Sequence, residues 1–329
     1  MLKLGVIGTS PISRQFIEAA QQSQLYRLAA LYSRRLETAA AFTRHDADVA
    51  VFSDFAAFLA ADVDVVYIAS PNSLHAQQAK AVLAAGKHAI VEKPIVSTPS
   101  ELRELRQLAD QHQVYLFEAA RNYHEAALTT IGAFLEDQVV TGASLSYAKY
   151  SSKMGELLTG RKPNVFSADF SGGALMDLGI YPLYAAIALF GAPKAARYTA
   201  CQLPNSMDLN GCGQLIYEDF LVTLQTGKNL TSYQPSEIYT QEGTLVLDGC
   251  QHISQAVFHR LDGSRQELPL PARTDNPLLE EALAFAAVIT QGQDQQVKAW
   301  LDVAQVVHDT LYSMRQDAGI QFKADTYEN

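Results

Sequence analysis

Apolar and polar residues alternate with two different periods along the first 120 positions of the chain. Short, almost wholly apolar runs predict buried strands, and between them apolar residues recur at the spacing of amphipathic helices. The predicted strands are residues 2–7, 26–32, 63–69, 88–91 and 114–118, and the predicted helices are residues 12–21, 36–43, 74–85 and 100–112. Strands this apolar, separated by helices, predict a parallel sheet covered on both faces, which is a doubly wound α/β domain.

After about Ala120 the pattern changes to period-two strands with few helices between them. The predicted strands are residues 143–150, 197–202, 213–225, 230–234, 237–247 and 256–261, with turn signals such as Asp262-Gly263 between them. One helix, residues 173–190, interrupts the strands, and two more, residues 277–290 and 297–315, follow them. We therefore predict two domains: residues 1–120, and an α+β domain of residues 121–329 with a large, mainly antiparallel open sheet.

Composition and charge restrict the class of protein. The 329 residues are 48% hydrophobic and 18% charged, which is typical of folded globular proteins. The longest uninterrupted apolar runs fall far short of the roughly 20 residues that cross a bilayer, and no signal-peptide pattern precedes the first strand, so we expect a cytoplasmic protein without a membrane span. A formal charge of −10 argues against a nucleic-acid partner. Three cysteines without a CxxC pair predict neither a disulfide framework nor a metal site.

The first predicted strand runs directly into a turn of small residues, Gly8-Thr9-Ser10-Pro11-Ile12-Ser13. A dinucleotide fold has the fingerprint GxGxxG or GxGxxA here, and this turn keeps the first glycine with serines in the other two places. Serine is small enough to let a pyrophosphate approach the N-terminus of the next helix, and its hydroxyl can donate a hydrogen bond to it. The position of the turn favours an NAD(P)-binding Rossmann domain, and an ordinary βα turn is the alternative.

The end of the second predicted strand distinguishes between two cofactors. An Asp or Glu there binds the ribose hydroxyls and favours NAD, but this chain has Ser33-Arg34-Arg35. A hydroxyl followed by two guanidinium groups suits a 2′-phosphate, because Arg presents a planar fork of donors. We therefore expect NADP(H) as the cofactor, with NAD as the second choice. The alternative is that both arginines are solvated residues at the start of a helix.

Three later segments carry a family resemblance. They are Ser70-Pro71-Asn72-Ser73-Leu74-His75, Glu92-Lys93-Pro94, and the segment GGALMDLGIYP that begins at Gly172. In these segments the chain resembles the Gfo/Idh/MocA family of oxidoreductases, and the resemblance covers essentially the whole chain. Tyr181 makes it most similar to the branch of glucose-fructose oxidoreductase and dimeric dihydrodiol dehydrogenase, because the inositol dehydrogenases have a histidine there.

Lys93, Asp177 and Tyr181 have the chemistry that proton transfer needs. Asp177 and Tyr181 are four residues apart on one predicted helix and share a face, and Lys93 lies at the carboxyl end of a parallel strand, where open α/β sheets bind ligands. Hydride transfer at a carbon that bears oxygen needs a proton partner, and a cationic Lys93 can stabilise the developing alkoxide and polarise the Tyr181 hydroxyl. Asp177 would orient Lys93 or the substrate. The resemblance implies the same three roles.

The resemblance also implies contacts with a bound cofactor. It places Ser70, Asn72 and His75 beside the ribose and pyrophosphate, and Glu92 and the start of the second domain near the nicotinamide. On spacing alone, His75 is equally well a residue in the first turn of a helix. Together with the turn and strand-end residues, the predicted cofactor-binding set is Gly8, Thr9, Ser10, Ile12, Ser33, Arg34, Ser70, Asn72, His75, Glu92, Lys93 and Asn122.

The predicted function is that of an NAD(P)-dependent oxidoreductase acting on a sugar, a polyol or a related alcohol or carbonyl. Two alternatives stay open: a redox-neutral enzyme that retains its cofactor, and a non-catalytic NADP(H)-binding sensor. Asn164 stands where many relatives have an arginine, which leaves the substrate itself open. The resemblance further implies a cis peptide between Lys93 and Pro94, and a homodimer formed through the open face of the second sheet.

Overall fold

The computed structural model describes residues 1–44 and 48–327. The chain forms two units, Met1–Ala119 with Thr274–Asp302, and Ala120–Arg273 with Val303–Asn329. The division after Ala119 lies next to the expected boundary at residue 120. The first unit also takes in residues 274–302, which the sequence pattern had assigned to the second domain.

Strands and α-helices are numbered in chain order within the described residues. The strands are β1 (Leu2–Ile7), β2 (Tyr26–Tyr32), β3 (Ala50–Phe52), β4 (Val65–Ile68), β5 (His88–Glu92), β6 (Leu116–Ala119), β7 (Val140–Ala148), β8 (Ala195–Gln202), β9 (Asp208–Ile216), β10 (Leu221–Gly227), β11 (Ser236–Thr240), β12 (Gly243–Leu247), β13 (Ala256–Arg260) and β14 (Arg265–Glu267). The helices are α1 (Pro11–Gln22), α2 (Leu36–Phe42), α3 (Phe55–Leu59), α4 (His75–Ala84), α5 (Pro99–His112), α6 (Ala126–Leu135), α7 (Met154–Leu158), α8 (Ile180–Phe190), α9 (Leu279–Gln291) and α10 (Asp294–Asp317).

A parallel sheet forms the centre of the first unit. In the described part of the chain it has six strands in the order β3-β2-β1-β4-β5-β6, and every neighbouring pair is parallel. The predicted doubly wound α/β domain is therefore confirmed. The sequence pattern missed β3 because this strand has three residues and none of them is buried. The strand order reverses between β1 and β4, and open sheets of this type bind ligands outside the carboxyl ends of the strands at such a reversal.

Helix α9 joins the first unit from far along the chain. The Tyr26 hydroxyl donates a hydrogen bond of 2.8 Å to the Ala282 carbonyl, and the Asn276 side chain donates one of 2.9 Å to the Gln15 carbonyl. The rings of Phe117 and Phe285 stack with their centroids 4.7 Å apart. These contacts bind α9 to α1 and to the sheet, which explains why residues 274–302 belong to this unit.

A larger sheet forms the centre of the second unit. Among the described residues it has eight strands in the order β14-β13-β12-β11-β7-β10-β9-β8, and only β7 and β10 pair in parallel. The prediction of a mainly antiparallel sheet is confirmed, but three strand predictions are wrong. Residues 213–225 and 237–247 each contain a turn and fold as two strands. Residues 230–234 form no strand, although the Ser232 N–H donates to the Ala148 carbonyl at the end of β7.

The predicted helix at residues 173–190 begins with a π-helical turn, Leu175–Gly179, before α8 continues it. Every residue of α8 from Ile180 to Ile187 is buried. The stretch Ala168–Phe190 is long and apolar enough to cross a membrane by composition, contrary to our expectation from the apolar runs, but 78% of its most apolar window is buried in the fold. Burial accounts for its composition, because a helix that is hydrophobic all round lies in a core as well as in a membrane.

Candidate active site

The turn after β1 is tight and leads directly into α1. Gly8 has φ +109°, and a Cβ at this position would lie 2.6 Å from the Ala69 carbonyl oxygen, so only glycine fits. Ser10 caps α1: its hydroxyl accepts from the Ser13 N–H at 3.3 Å and lies 3.0 Å from the Ser13 hydroxyl. The first turn of α1 has no acidic residue, so its N-terminal N–H groups and the helix dipole favour an anion here. Thr9 and Ile12 flank the cap and are half-buried.

The residues after β2 lie at the same edge of the sheet. The Ser33 N–H donates to the Phe52 carbonyl at 3.1 Å, and the Ser33 hydroxyl accepts from the Arg35 N–H at 3.4 Å. These bonds define the backbone of the Ser33-Arg34-Arg35 segment, whereas the side chains of Arg34 and Arg35 are exposed. Two solvated guanidinium groups beside the carboxyl end of β2 suit a phosphate group better than a neutral ribose.

His75 connects the ends of two neighbouring strands. Its ring is fully buried, with Nδ1 2.9 Å from the Pro94 carbonyl oxygen and Nε2 2.8 Å from the Ser70 carbonyl oxygen. Burial lowers the pKa of His75, and the two carbonyl groups oppose this shift. His75 therefore holds the loop after β4 against the loop after β5. Asn72, in a short 3₁₀ turn just before α4, is only half-buried.

Lys93 stands at the carboxyl end of β5 in a well-anchored backbone. The Lys93–Pro94 peptide is cis, as the resemblance implied. The next residue, Ile95, donates its N–H to the buried Glu118 carboxylate at 3.1 Å. Glu92 is 8% exposed and accepts a short hydrogen bond from the Tyr67 hydroxyl. The backbone on both sides of Lys93 is therefore fixed, while its own side chain stays partly accessible.

Tyr181 and Asp177 lie one turn apart in the second unit, as their spacing predicted. Asp177 is on the π-helical turn and Tyr181 is near the start of α8, where it is 8% exposed. The Tyr147 ring meets the Tyr181 ring edge-on at 5.3 Å, and the guanidinium carbon of Arg121 lies 5.5 Å from the Tyr181 ring centroid. Burial disfavours the charge of Arg121, but interactions with Tyr181 and Glu125 outweigh it, so the pKa of Arg121 is raised.

Two residues that bind the helical segment of Asp177 and Tyr181 belong to no motif that could be recognised in the sequence. Lys228, which directly follows β10, forms an ion pair with Asp177 across 51 positions of the chain, and its side chain is 5% exposed. Asp208, at the start of β9, accepts from the N–H groups of Ala174 at 3.0 Å and Leu175 at 2.7 Å. Asp208 is therefore the N-terminal cap of the helical segment that carries Asp177 and Tyr181.

Asn122, predicted to bind the cofactor, has a structural contact of its own. Its amide nitrogen donates to the Tyr181 carbonyl and to the Cys250 carbonyl, both at 3.0 Å, and the residue is 3% exposed. These bonds hold the segment after β6 against the backbone of α8. Nearby, the Glu125 carboxylate accepts from the Ile253 N–H at 3.1 Å and pairs with His252, while burial raises the pKa of Glu125.

The chain is similar in sequence to known oxidoreductases. The family model for an oxidoreductase family with an NAD-binding Rossmann fold matches residues 2–120. The oxidoreductase YgjR of Escherichia coli is 36% identical over 99% of both chains. The scyllo-inositol 2-dehydrogenase (NADP⁺) IolU of Bacillus subtilis is 32% identical, also over 99% of both chains. The chain belongs to the Gfo/Idh/MocA family.

A solved structure supports the fold of this Gfo/Idh/MocA protein over its whole length. The 3-ketoreductase KijD10 of Actinomadura kijaniata, crystallised with NADP and TDP-benzene, superposes with a TM-score of 0.85 and covers 96% of this chain and 98% of its own, at 24% sequence identity. The relatives at 36% and 32% identity confirm the predicted family, and with it the predicted oxidoreductase class. The structural likeness covers both the Rossmann sheet and the open α+β sheet.

Proposed function

We propose that this Gfo/Idh/MocA oxidoreductase transfers a hydride between NADP(H) and a sugar, a polyol or a related alcohol or carbonyl compound. The observation that carries the proposal is full-length similarity, at 32% identity, to an enzyme named as an NADP⁺-dependent scyllo-inositol dehydrogenase. Lys93 at the carboxyl end of β5 supports it, because a cation at that edge of the sheet is where a proton partner for the nicotinamide reaction is needed.

The residues at the edge of the first sheet fit NADP(H). Gly8, Thr9, Ser10 and Ile12 would hold the pyrophosphate at the N-terminus of α1, since the first turn of this helix carries no acidic side chain. Ser33 and Arg34 would hold the 2′-phosphate. The residues proposed for the ribose and nicotinamide side are Ser70, Asn72, His75, Glu92, Lys93 and Asn122; of these, His75 and Asn122 would act through the backbone groups that they anchor. When bound, the cofactor supplies or accepts the hydride.

Lys93, Tyr181 and Asp177 would handle the proton and orient the substrate. The Lys93 ammonium stabilises the alkoxide that develops on the substrate oxygen as the hydride moves. Tyr181, held by its neighbours Tyr147 and Arg121, gives or takes the proton at that oxygen. Asp177 is already paired with Lys228, so we assign it a role in orienting substrate hydroxyl groups.

The activity is tested by an NADP⁺ reduction screen with the purified full-length protein against scyllo-inositol, myo-inositol, D-glucose, D-xylose and a trans-dihydrodiol. We expect NADPH to accumulate with at least one of these alcohols through many turnovers. Absence of NADPH formation with every alcohol, and of NADPH oxidation with the corresponding ketones, would contradict the proposal.

Replacing Arg34 by alanine should raise the KM for NADPH about 10- to 100-fold, because a charge-assisted hydrogen bond is worth about 1.5–3 kcal/mol. The KM for NADH should stay within about twofold. The matched control is Arg27→Ala, which removes an exposed arginine from the opposite end of β2. Steady-state kinetics with both cofactors measure the effect, and a wild-type preference for NADH would contradict the cofactor assignment.

The open face of the second sheet supports a homodimer. Small and polar side chains point outward from its central strands, among them Ser144 of β7, Cys212 of β9 and Thr223 of β10. A sheet face with small side chains suits packing against the same face of a second copy. We expect light scattering at micromolar concentration to give twice the mass of 35.9 kDa. A monomeric mass under these conditions would contradict the proposed homodimer. We also propose that the enzyme is cytoplasmic.

A further inference from the structure

Arg121 lies at the start of the second unit, directly beside Tyr181. It begins the short 3₁₀ turn Arg121–Tyr123 that follows β6, and it is partly buried. Its guanidinium carbon is 5.5 Å from the centroid of the Tyr181 ring, and its side chain interacts with Tyr181 by a hydrogen bond as well as by charge. A guanidinium group has donors and no acceptor, so this hydrogen bond runs from Arg121 to the phenolic oxygen.

The next residue along the chain fixes the backbone of Tyr181. The Asn122 amide nitrogen donates to the Tyr181 carbonyl at 3.0 Å, and the Tyr123 ring lies 5.6 Å from the Tyr184 ring, which is three residues further along α8. Arg121 and Asn122 therefore hold Tyr181 by its side chain and by its backbone. The 3₁₀ turn is fixed against the start of α8, which sets the direction from which the guanidinium group approaches.

A buried carboxylate, Glu125, faces the charge of Arg121 and attracts it. Glu125 is 5% exposed, accepts from the Ile253 N–H at 3.1 Å and pairs with His252 at 2.8 Å. Burial raises the pKa of Glu125, and its contacts with His252, Ile253 and Arg121 oppose that rise. The charge beside the Tyr181 ring therefore depends on both members of the Arg121–Glu125 pair.

The chemistry of Arg121 limits what it can do for the reaction. A guanidinium group stays charged in proteins, so Arg121 does not exchange a proton itself. It acts instead on the proton affinity of its neighbour. Burial disfavours the charged form of a phenol, whereas a cation that donates a hydrogen bond to the oxygen favours it. Tyr181 is buried, and Arg121 supplies this cation.

We propose that Arg121 is a positioning residue that stabilises the phenolate form of Tyr181 and thereby sets the pH at which the enzyme oxidises alcohols. In that direction the hydroxyl proton of the substrate passes to the Tyr181 oxygen, the hydride passes from the carbon that bears the hydroxyl to NADP⁺, and the carbon–oxygen bond becomes a carbonyl. Reduction reverses both transfers and needs the protonated phenol. This inference rests on the proposed function, in which Tyr181 exchanges that proton.

Other ionisable groups lie around Tyr181. Asp177 precedes it by one turn, the Tyr147 ring meets its ring edge-on at 5.3 Å, and the proposed function adds Lys93 at the substrate oxygen. These groups are unchanged when Arg121 is replaced, so a difference between two pH profiles reports on the Arg121 charge. On the elements packed against this part of α8 in the second unit, the ionisable groups include Tyr123, His124, Glu125, Tyr147, Asp177, Lys228 and His252.

The test compares the pH dependence of alcohol oxidation by NADP⁺ in the wild type and in Arg121→Met, with scyllo-inositol or whichever alcohol of the screen is oxidised fastest. We expect the pH of half-maximal kcat to rise by about 1–2 units, which corresponds to one hydrogen bond to a charged group. Below both midpoints kcat should fall by roughly 10- to 100-fold, and it should recover above the new midpoint. The KM for NADP⁺ should stay within about twofold, because Arg121 acts through Tyr181.

A second measurement follows the phenolate without any substrate. The ultraviolet absorbance of tyrosinate is titrated in the full-length protein, and the titration of the same protein with Tyr181→Phe is subtracted, so that the remaining signal comes from Tyr181. Arg121→Met should move this titration to higher pH by the same amount as the kinetic midpoint. If Arg121 only stabilised the fold, its loss would lower the free energy of unfolding and leave both midpoints unchanged.

Three further variants complete the test. Arg121→Lys keeps the cation and should return the midpoint most of the way to that of the wild type. Glu125→Gln removes the opposing charge and should move the midpoint to lower pH; this variant decides the matter if Arg121→Met does not fold. Arg265→Met removes an exposed arginine of β14 in the same unit and should change nothing.

The outcomes separate this inference from the proposed function. An unchanged midpoint in folded Arg121→Met, or no downward shift in Glu125→Gln, would overturn the role of Arg121 while alcohol oxidation by the wild type keeps the proposed function. A wild type that oxidises none of the alcohols would overturn the proposed function and this inference together.

Discussion

Replacing Lys93 by methionine is expected to lower kcat by about 10²- to 10⁴-fold, the range for removal of a positioned proton donor. The substitution keeps the length of the side chain and removes only the ammonium that stabilises the alkoxide. The backbone around it should be unaffected, because Ile95 and Pro94 are held by Glu118 and His75 and not by the Lys93 side chain. The measurement is steady-state oxidation of the best alcohol from the screen, with NADPH affinity followed by fluorescence.

The matched control for this variant is Lys80→Met. Lys80 is on α4 of the same unit and pairs with Glu104 at the surface, where an ion pair contributes about 0–1 kcal/mol. Its kcat should equal that of the wild type. If Lys93→Met kept wild-type turnover, Lys93 would have no part in the chemistry, and loss of NADPH affinity would instead assign it to cofactor binding.

Replacing Gly173 by alanine is expected to destabilise the protein by about 4 kcal/mol, since it adds backbone strain and breaks a buried hydrogen-bond network. Gly173 has φ +110°, and its new Cβ would overlap the Oδ1 atom of Asp208. Asp208 is 1% exposed and also accepts from the Tyr198 hydroxyl at 2.7 Å. Displacing it removes the cap from the helical segment that carries Tyr181, so kcat should fall with stability.

Gly160→Ala is the control that separates backbone strain from the clash with Asp208 in Gly173→Ala. Gly160 has φ +83° with open space where a Cβ would lie, so its substitution adds backbone strain without a clash. We expect it to cost about 1–2 kcal/mol and to leave kcat unchanged. Thermal and denaturant unfolding measure both variants. If the two variants lost the same unfolding free energy, Asp208 would be able to move away from residue 173 at no cost. Its role as the cap of the helical segment would then be contradicted.

The periodicity of the chain predicted the fold better than it predicted the limits of the strands. The parallel domain was predictable because buried strands and amphipathic helices have different periods. The strands around Tyr217 and Gln241 were merged because a tight hairpin interrupts alternation for only a few residues; in the first, the Tyr217 N–H bonds to the Phe220 carbonyl at 3.0 Å. Residues 274–302 were assigned to the second domain, although they group with the first unit, because a helical pattern does not state which sheet it covers.

The residues of the candidate site were also only partly predictable from the sequence. Lys93, Asp177 and Tyr181 could be proposed from the sequence because each lies in a local motif at a strand end or on a helix face. Lys228 and Asp208 were not, because each acts through a partner more than thirty positions away, and no local pattern records such a pair. His75 shows a third case: the motif indicated the residue, and only the structure shows that its two ring nitrogens contact backbone carbonyls.

The position of helix α9 late in the sequence determines when the first unit can complete its fold during synthesis. Tyr26 and Gln15 bond to partners 256 and 261 positions further along the chain, so the ribosome must complete most of the polypeptide before these bonds can form. During synthesis the nucleotide-binding sheet therefore emerges with the site of α9 uncovered, including the face of Phe117 that later stacks on Phe285. A fragment that stops after β6 would retain this exposed apolar surface permanently, which makes it prone to aggregate.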